Sequence, residues 1–330
     1  MTPYAQLIRC AEQLRNLKEL ASITDEDIAS ADWILESNDD ILTFVSELLQ
    51  QRIAVPCRFE AGFLATLCTD SNLLQNLSRV LRAKALVAVE TSDYETAIRA
   101  CLQLLELAAV LRRGGLIFGA LTGNGFIGQA VECLRKIRKL LTTEVASALI
   151  TELSRWEADL EDFDAIIELD NRWTAAVKLP DIPVDPSSFI IPEEECGLDV
   201  DTQQELFRLT GELGKAAEAE NYQPYRNQDF VFRALSRLLQ IELTLAVFVD
   251  IHDRLPKDLD ELQEYHPLQS LPLDPFSDQP FVFHRFGKHG YWLYSLGPKR
   301  INGGGRFGSM LEVSLGQADL CLDMRDFEVG

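Results

Sequence analysis

The stretch Gly123-Asn124-Gly125-Phe126-Ile127-Gly128 comes closest, by residue type and spacing, to a recognised chemistry. Three glycines in a GxGxxG pattern let backbone amides close on a dinucleotide pyrophosphate at the start of a helix. That chemistry needs a strand before the glycines, a helix after them, and a second strand ending in an acid about 20 residues on. The apolar run LIFGAL precedes and QAVECLRKIRK follows, but the acid at the right distance, Glu144, lies inside the helix-like run TTEVASALITEL. The expectation is that Gly123, Gly125 and Gly128 permit close packing or a kink between helices. A small-ligand binder or enzyme built on these three residues is the alternative, and no cofactor is assigned.

Other reactive groups are scattered. The histidines are His252, His266, His284 and His289, with no HExxH and no Cys/His pair at ligand spacing. His284 and His289 would approach each other only across a hairpin. The acids from Glu193-Glu194-Glu195 to Asp201 lack the alternating oxygen ligands and fixed glycine of a calcium loop. Ser309 follows Gly308 without a nucleophile-elbow pattern around it. Cysteines stand at 10, 57, 68, 101, 133, 196 and 321, an odd number without CxxC, and are expected as free thiols in a reducing compartment. Cys57 or Cys68 with a distant histidine is the remaining nucleophile arrangement. No catalytic residue and no metal ligand is assigned, so the balance leans away from an enzyme.

The formal charge of -21 argues against nucleic acid and against anionic membrane surfaces, both of which require concentrated basic residues. The longest apolar stretch, from Leu238 to Ile251, is interrupted by Gln240, Glu242 and Asp250 and is shorter than the roughly 20 residues of a membrane span. The opening residues carry charges throughout instead of a signal-peptide core, so the expected location is cytoplasmic and the expected partner is a protein.

Helical periodicity fills the first half. Asp27, three residues after Thr24, completes a capping-box pattern ahead of Trp33, Ile34 and Leu35, and Asn38-Asp39-Asp40 restarts the chain. Leu73, Leu77, Val80, Leu81, Ala85 and Ala88 form one stripe; Ala97, Cys101, Leu104, Leu105, Ala108 and Leu111 form the facing one. Between them Thr91-Ser92-Asp93 is a turn, with Ser92 and Glu95 as a second capping box. The hairpin looks like that of a tetratricopeptide repeat, although no second copy follows at a fixed period. From Trp156 to Asp170 one amphipathic helix is expected, with Trp156, Leu160, Phe163 and Ile167 inward and acids on its other faces. Prolines and glutamates crowd 179–200, a helix is expected near 202–220, and a longer one runs from Asn227 to Ile251. FVFHRF and YWLYSLG alternate as strands, with MLEVSL and LCLDM as further candidates.

From Arg226 to about Gly305 the order and turn chemistry resemble the C-terminal half of type II secretion major pseudopilins. They resemble more closely a group of uncharacterised bacterial proteins of planctomycete type that join such a module to a helical domain. The residues carrying the resemblance are the helix stop at Asp253 through Pro256, the turn Asp274-Pro275-Phe276, the strand end Tyr294-Ser295-Leu296-Gly297, and Gly303-Gly304-Gly305. Asp253 and Asp278 stand where those proteins usually have glycine, and aspartate tolerates the left-handed backbone better than most residues. The resemblance implies a spine helix followed by a small sheet, with calcium in the loop after the second strand. Here that loop reads Pro298-Lys299-Arg300-Ile301-Asn302, with two cations where acids would bind the ion, so calcium is not expected. The membrane helix and prepilin cleavage site are missing, so pilus assembly is not carried over.

The fold expected is mainly α. Residues 1–178 form an all-helical domain with a TPR-like hairpin, 179–200 a Pro/acid-rich linker, and 201–330 a long helix plus a small antiparallel sheet, an α+β pseudopilin-like module. A non-catalytic interaction or scaffold protein is the leading functional expectation. A degenerate calcium-binding pseudopilin-like component is a third reading.

Overall fold

The computed structural model describes residues 1–21, 28–60, 62–177, 222–286, 290–305, 307, 313, 316 and 318–323. The expected linker at 179–200, the helix near 202–220, the Thr24/Asp27 capping box, Cys196, His289, Ser309 and most of MLEVSL lie outside these residues.

Among them the chain is mainly α with a small three-stranded antiparallel sheet near the C-terminus. The helices are α1 (Pro3–Glu12), α2 (Leu17–Ala21), α3 (Asp32–Ser37), α4 (Asp39–Leu48), α5 (Gly62–Glu90), α6 (Tyr94–Arg112), α7 (Leu116–Ile137), α8 (Thr143–Ala158), α9 (Phe163–Val177) and α10 (Gln223–His252). The strands are β1 (Val282–Phe286), β2 (Gly290–Ser295) and β3 (Leu320–Cys321), in spatial order β1-β2-β3.

Helix α6 is apolar on nearly every side and is correspondingly enclosed, with Ala97, Cys101, Leu104, Leu105, Ala108 and Leu111 all buried. Each leucine removed from water there contributes about 1.5–3 kcal/mol. Small residues bring α6 and α7 close together: a Cβ added to Gly123 would lie 2.9 Å from the Ala108 carbonyl oxygen. Helix α10 is buried along most of its length and packs on α7 and α8. One continuous apolar core runs from Tyr4 and Leu7 through α5, α6, α7 and α10 to Leu293 and Leu320 of the sheet.

Two local expectations are adjusted. The cap of α6 is Asp93, whose carboxylate accepts the Thr96 amide at 3.1 Å, while Ser92 takes a left-handed turn conformation, φ 60°. A shorter turn thus shifts the cap by one residue. The single helix expected over 156–170 is two: α8 ends at Ala158 and α9 begins at Phe163. Asp159 and Asp162 sit in the break, where aspartate competes for backbone hydrogen bonds that a helix interior already uses. The apolar residues still point inward, since Trp156, Leu160, Phe163 and Ile167 are buried on both sides of it.

Asparagine 38 shows how a polar residue can hold a helix junction. Fully buried between α3 and α4, it accepts the Arg15 amide at 2.8 Å and donates to the Ile34 carbonyl at 2.8 Å. The N-terminal segment is thereby fastened to the α3–α4 corner.

Candidate functional site

Among the described residues a fully buried ion pair joins four elements. Arg112 ends α6, Asn124 lies on α7, Glu161 occupies the α8–α9 break, and Asp229 lies on α10. Arg112, Asn124 and Asp229 have no exposed surface. Arg112 donates to Asp229, to Asn124 Oδ1 at 3.1 Å and to the Glu161 carbonyl at 3.1 Å. Arg233 grips the same two acceptors, Asp229 at 2.9 Å and the Glu161 carbonyl at 3.1 Å. Burial pulls the Arg112 guanidinium below its ordinary value, and the Asp229 carboxylate opposes that pull. A fixed, fully enclosed carboxylate clamped between two arginines has no solvent access for proton transfer. Its chemistry is that of a structural clasp.

A second cluster docks the sheet onto the helices. Arg138, just beyond α7, donates to Asp323 at 2.5 Å, and Arg135 reaches the same carboxylate at 3.0 Å. Glu242 of α10 accepts the Tyr291 hydroxyl at 2.6 Å from β2. Burial pushes the Glu242 carboxyl above the usual range, opposed by the Tyr291 hydrogen bond and by Arg138. Along α10, Arg237 pairs with Glu157 at 2.5 Å and donates to the Leu273 carbonyl at 2.7 Å, tying the segment before the sheet to α8.

The residues singled out in the C-terminal sequence meet here in a small buried knot. Asp274 accepts the Phe276 amide at 3.0 Å, the Ser295 hydroxyl at 2.8 Å and the Leu296 amide at 3.3 Å. Pro275 lies between Asp274 and the first of these partners, and Phe276 is buried edge-on to Phe230 of α10. Tyr294 is buried, its hydroxyl donating to Asn302 at 2.9 Å. Gly297 follows at φ 64°, its amide bonded to Ser295 Oγ at 3.0 Å. Asp253 terminates α10 in the left-handed conformation, φ 50°, ahead of Pro256, and Asp278 is left-handed at φ 55°. Both aspartates thus adopt the backbone that glycine would adopt most easily.

In the loop after β2, both carboxylate oxygens of Asp319 accept amides, from Gly303 at 3.3 Å and Gly305 at 2.9 Å. Donors surround this acid, the reverse of the oxygen cage a hard cation requires. Among the described residues no three His, Cys, Asp or Glu side chains gather as a metal-binding group.

The glycines of the GxGxxG pattern lie in the middle of α7, where each amide is used by the helix ladder. None of them has positive φ. Gly123 backs onto α6, Gly125 is exposed, and Gly128 faces the Phe232 ring. A true helix N-terminus does follow a glycine pair, Gly114-Gly115, but the molecule fills it with its own anion: Asp170 accepts the Ile117 amide at 3.1 Å. Two acids near the α8–α9 break are similarly engaged. Asp159 pairs with Arg113 at 2.6 Å and Arg52 at 2.9 Å, and Asp164 with Arg226.

Histidine 266 is buried, and its Nδ1 accepts the Leu268 amide at 3.3 Å. Burial holds the ring below the usual imidazole range. A folded-state value lowered in this way means that its stabilising contribution is present above about pH 6.5 and is lost as pH falls through the lowered value. Denaturant titrations between about pH 7.5 and 5.5 are expected to show stability falling on acidification. In His266→Asn, which keeps an acceptor near Nδ1, that slope flattens.

Two adjoining open concavities lie on the N-terminal helices. A hollow of about 430 Å³ lies between α3, α4, the end of α5 and the start of α6, adjoining a second of about 260 Å³. Leu35, Leu42, Val87 and Ala88 line the larger one, with Asp32, Glu36, Asp39 and Asp93 around them. Lys84, which makes no ion pair among the described residues, lines both hollows. The hydrogen bonds from Thr96 hold the Asp93 carboxyl below its ordinary value, so it remains an anion. Sequence reading identified the flanking stripes but not the groove, because its wall is assembled from α3 and α4 folding back on the hairpin. Comparison with protein-family models, with curated proteins and with solved structures finds no match for this chain. Among the described residues no helix is long and apolar enough to cross a membrane.

Proposed function

We propose that the chain is a non-catalytic interaction scaffold whose contact site is the groove formed by α3–α6. The observation carrying this reading is the division of polar groups. The buried and half-buried ion pairs at Arg112, Arg138 and Arg237 hold elements to one another, whereas Asp32, Glu36 and Asp39 at the groove rim pair with no described residue and flank the partly exposed Leu35 and Val87. Catalysis needs a reactive group that substrate can reach with a partner to move its proton, and the enclosed pairs offer no such access. The last third is taken as a rigid pseudopilin-like appendage, a reading supported by the Asp274–Ser295 bond that joins its two sequence signatures.

The test is a photoreactive phenylalanine analogue placed at Val87 in the groove, with a control at exposed Glu168. After irradiation in cells, adducts are identified by mass spectrometry. The expected result is a discrete set of protein adducts at position 87 that position 168 lacks. Identical adducts at both positions, or none at 87, would refute the scaffold reading.

A further inference from the structure

Resting on that scaffold reading, we infer that the groove receives a basic amphipathic segment of a partner protein, with Lys or Arg flanking apolar side chains. Charge complementarity around a partly apolar floor favours this occupant. Half-buried Leu35 and Val87 offer the surface that an apolar side chain would cover, and Glu36, Asp39 and Asp32 stand at the rim where a neighbouring cation would reach. Asp32, Glu36 and Asp39 are exposed, on short helices, and without an ion pair to any described residue. Their charges are therefore available to a ligand, unlike those of Asp159 and Asp164 near the α8–α9 break.

The single cation of the larger hollow, Lys84, lies where it meets the smaller one. The groove is thus acidic on one side and basic at its junction, which gives an incoming segment a direction. Its cationic side chains lie over α3 and the start of α4, and an acceptor lies near Lys84. A hollow of about 430 Å³ has room for more than one side chain. An acidic segment would bring like charges together at the rim, which suppresses the wrong partner as effectively as attraction selects the right one.

The experiment uses the full chain and two synthetic helical peptides of about 14 residues, or roughly four turns. Both carry leucine at i, i+3, i+4 and i+7, one with lysine and the other with glutamate at the remaining positions. Fluorescence anisotropy is expected to give at least about ten-fold tighter binding for the lysine peptide. Glu36→Gln with Asp39→Asn should weaken it by about five-fold or more, whereas Glu168→Gln with Glu264→Gln, an equal charge change elsewhere, should leave it unchanged. Thermal melts of both double variants confirm that they are folded. Equal weakening by the two double variants, or none by either, overturns the inference, because binding would then follow overall charge. Equal binding of the glutamate peptide, or no binding of the lysine peptide, also overturns the partner's chemistry. In either case the cross-links at position 87 decide separately whether the groove is an interaction site.

Discussion

Arg112→Met is expected to lower the free energy of unfolding by about 3–5 kcal/mol. The reason lies in what remains. Methionine leaves Asp229 as a carboxylate without exposed surface, one of its two arginine partners gone. Asn124 Oδ1 loses its donor at the same time, and the Glu161 carbonyl keeps only Arg233. Adding Asp229→Asn in the same chain should restore part of the loss, because a neutral amide costs less to enclose than a carboxylate left with Arg233 alone. Urea denaturation of the two single variants and the double variant closes a thermodynamic cycle. A favourable coupling of at least about 1 kcal/mol is expected, and additive losses would show that the pair does not act as a unit. Full replacement by apolar residues could even stabilise the protein. Arg112 Nε and Asn124 Nδ2 have no partner among the described residues, and a partly satisfied buried network is weaker than its charge suggests.

Elements defined by local rules were legible in the sequence. The facing stripes of α5 and α6 are buried where the 3.6-residue period places them, apart from half-buried Leu73, and the two aspartates standing for glycine both take left-handed backbone. Those features depend on a few neighbouring residues. The Arg112–Asp229 pair is separated by 117 positions, and the geometry that joins it exists only after α6, α7 and α10 have packed. A signal was nevertheless present. Arg112 continues the apolar stripe of Cys101, Leu105 and Ala108, so a cation was bound to be enclosed by that face. Asp229, Ser236 and Gln240 likewise recur at helical spacing along the buried side of α10. The groove left no such trace, because its acids come from α3, α4 and the turn before α6 and share no periodicity. The break between α8 and α9 was obscured for the opposite reason: the apolar period continues across it, and only the aspartates mark the interruption.

The three glycines that first suggested a phosphate cradle give the second large effect, and here the direction of each change distinguishes a packed helix from a binding loop. Gly123→Ala is expected to cost about 1–3 kcal/mol, because its new Cβ would stand 2.9 Å from the Ala108 carbonyl oxygen, a backbone atom that moves only if α6 moves. Gly119→Ala should be at least as damaging, since its Cβ would meet the Leu111 carbonyl oxygen at 2.6 Å. Gly125→Ala is expected to have the opposite sign. Its Cβ would meet nothing within 4 Å, and replacing glycine by alanine in an exposed helix interior stabilises by about 0.5–1 kcal/mol. Gly128→Ala should fall between them, because the obstacle at 2.9 Å is the edge of the Phe232 ring, which can swing aside. A loop that cradles phosphate would give another pattern, since its glycines are chosen for positive φ or close ligand approach and alanine would not stabilise any of them. Urea midpoints for the four variants therefore test helix packing directly. A destabilised Gly125→Ala would be the result that breaks it.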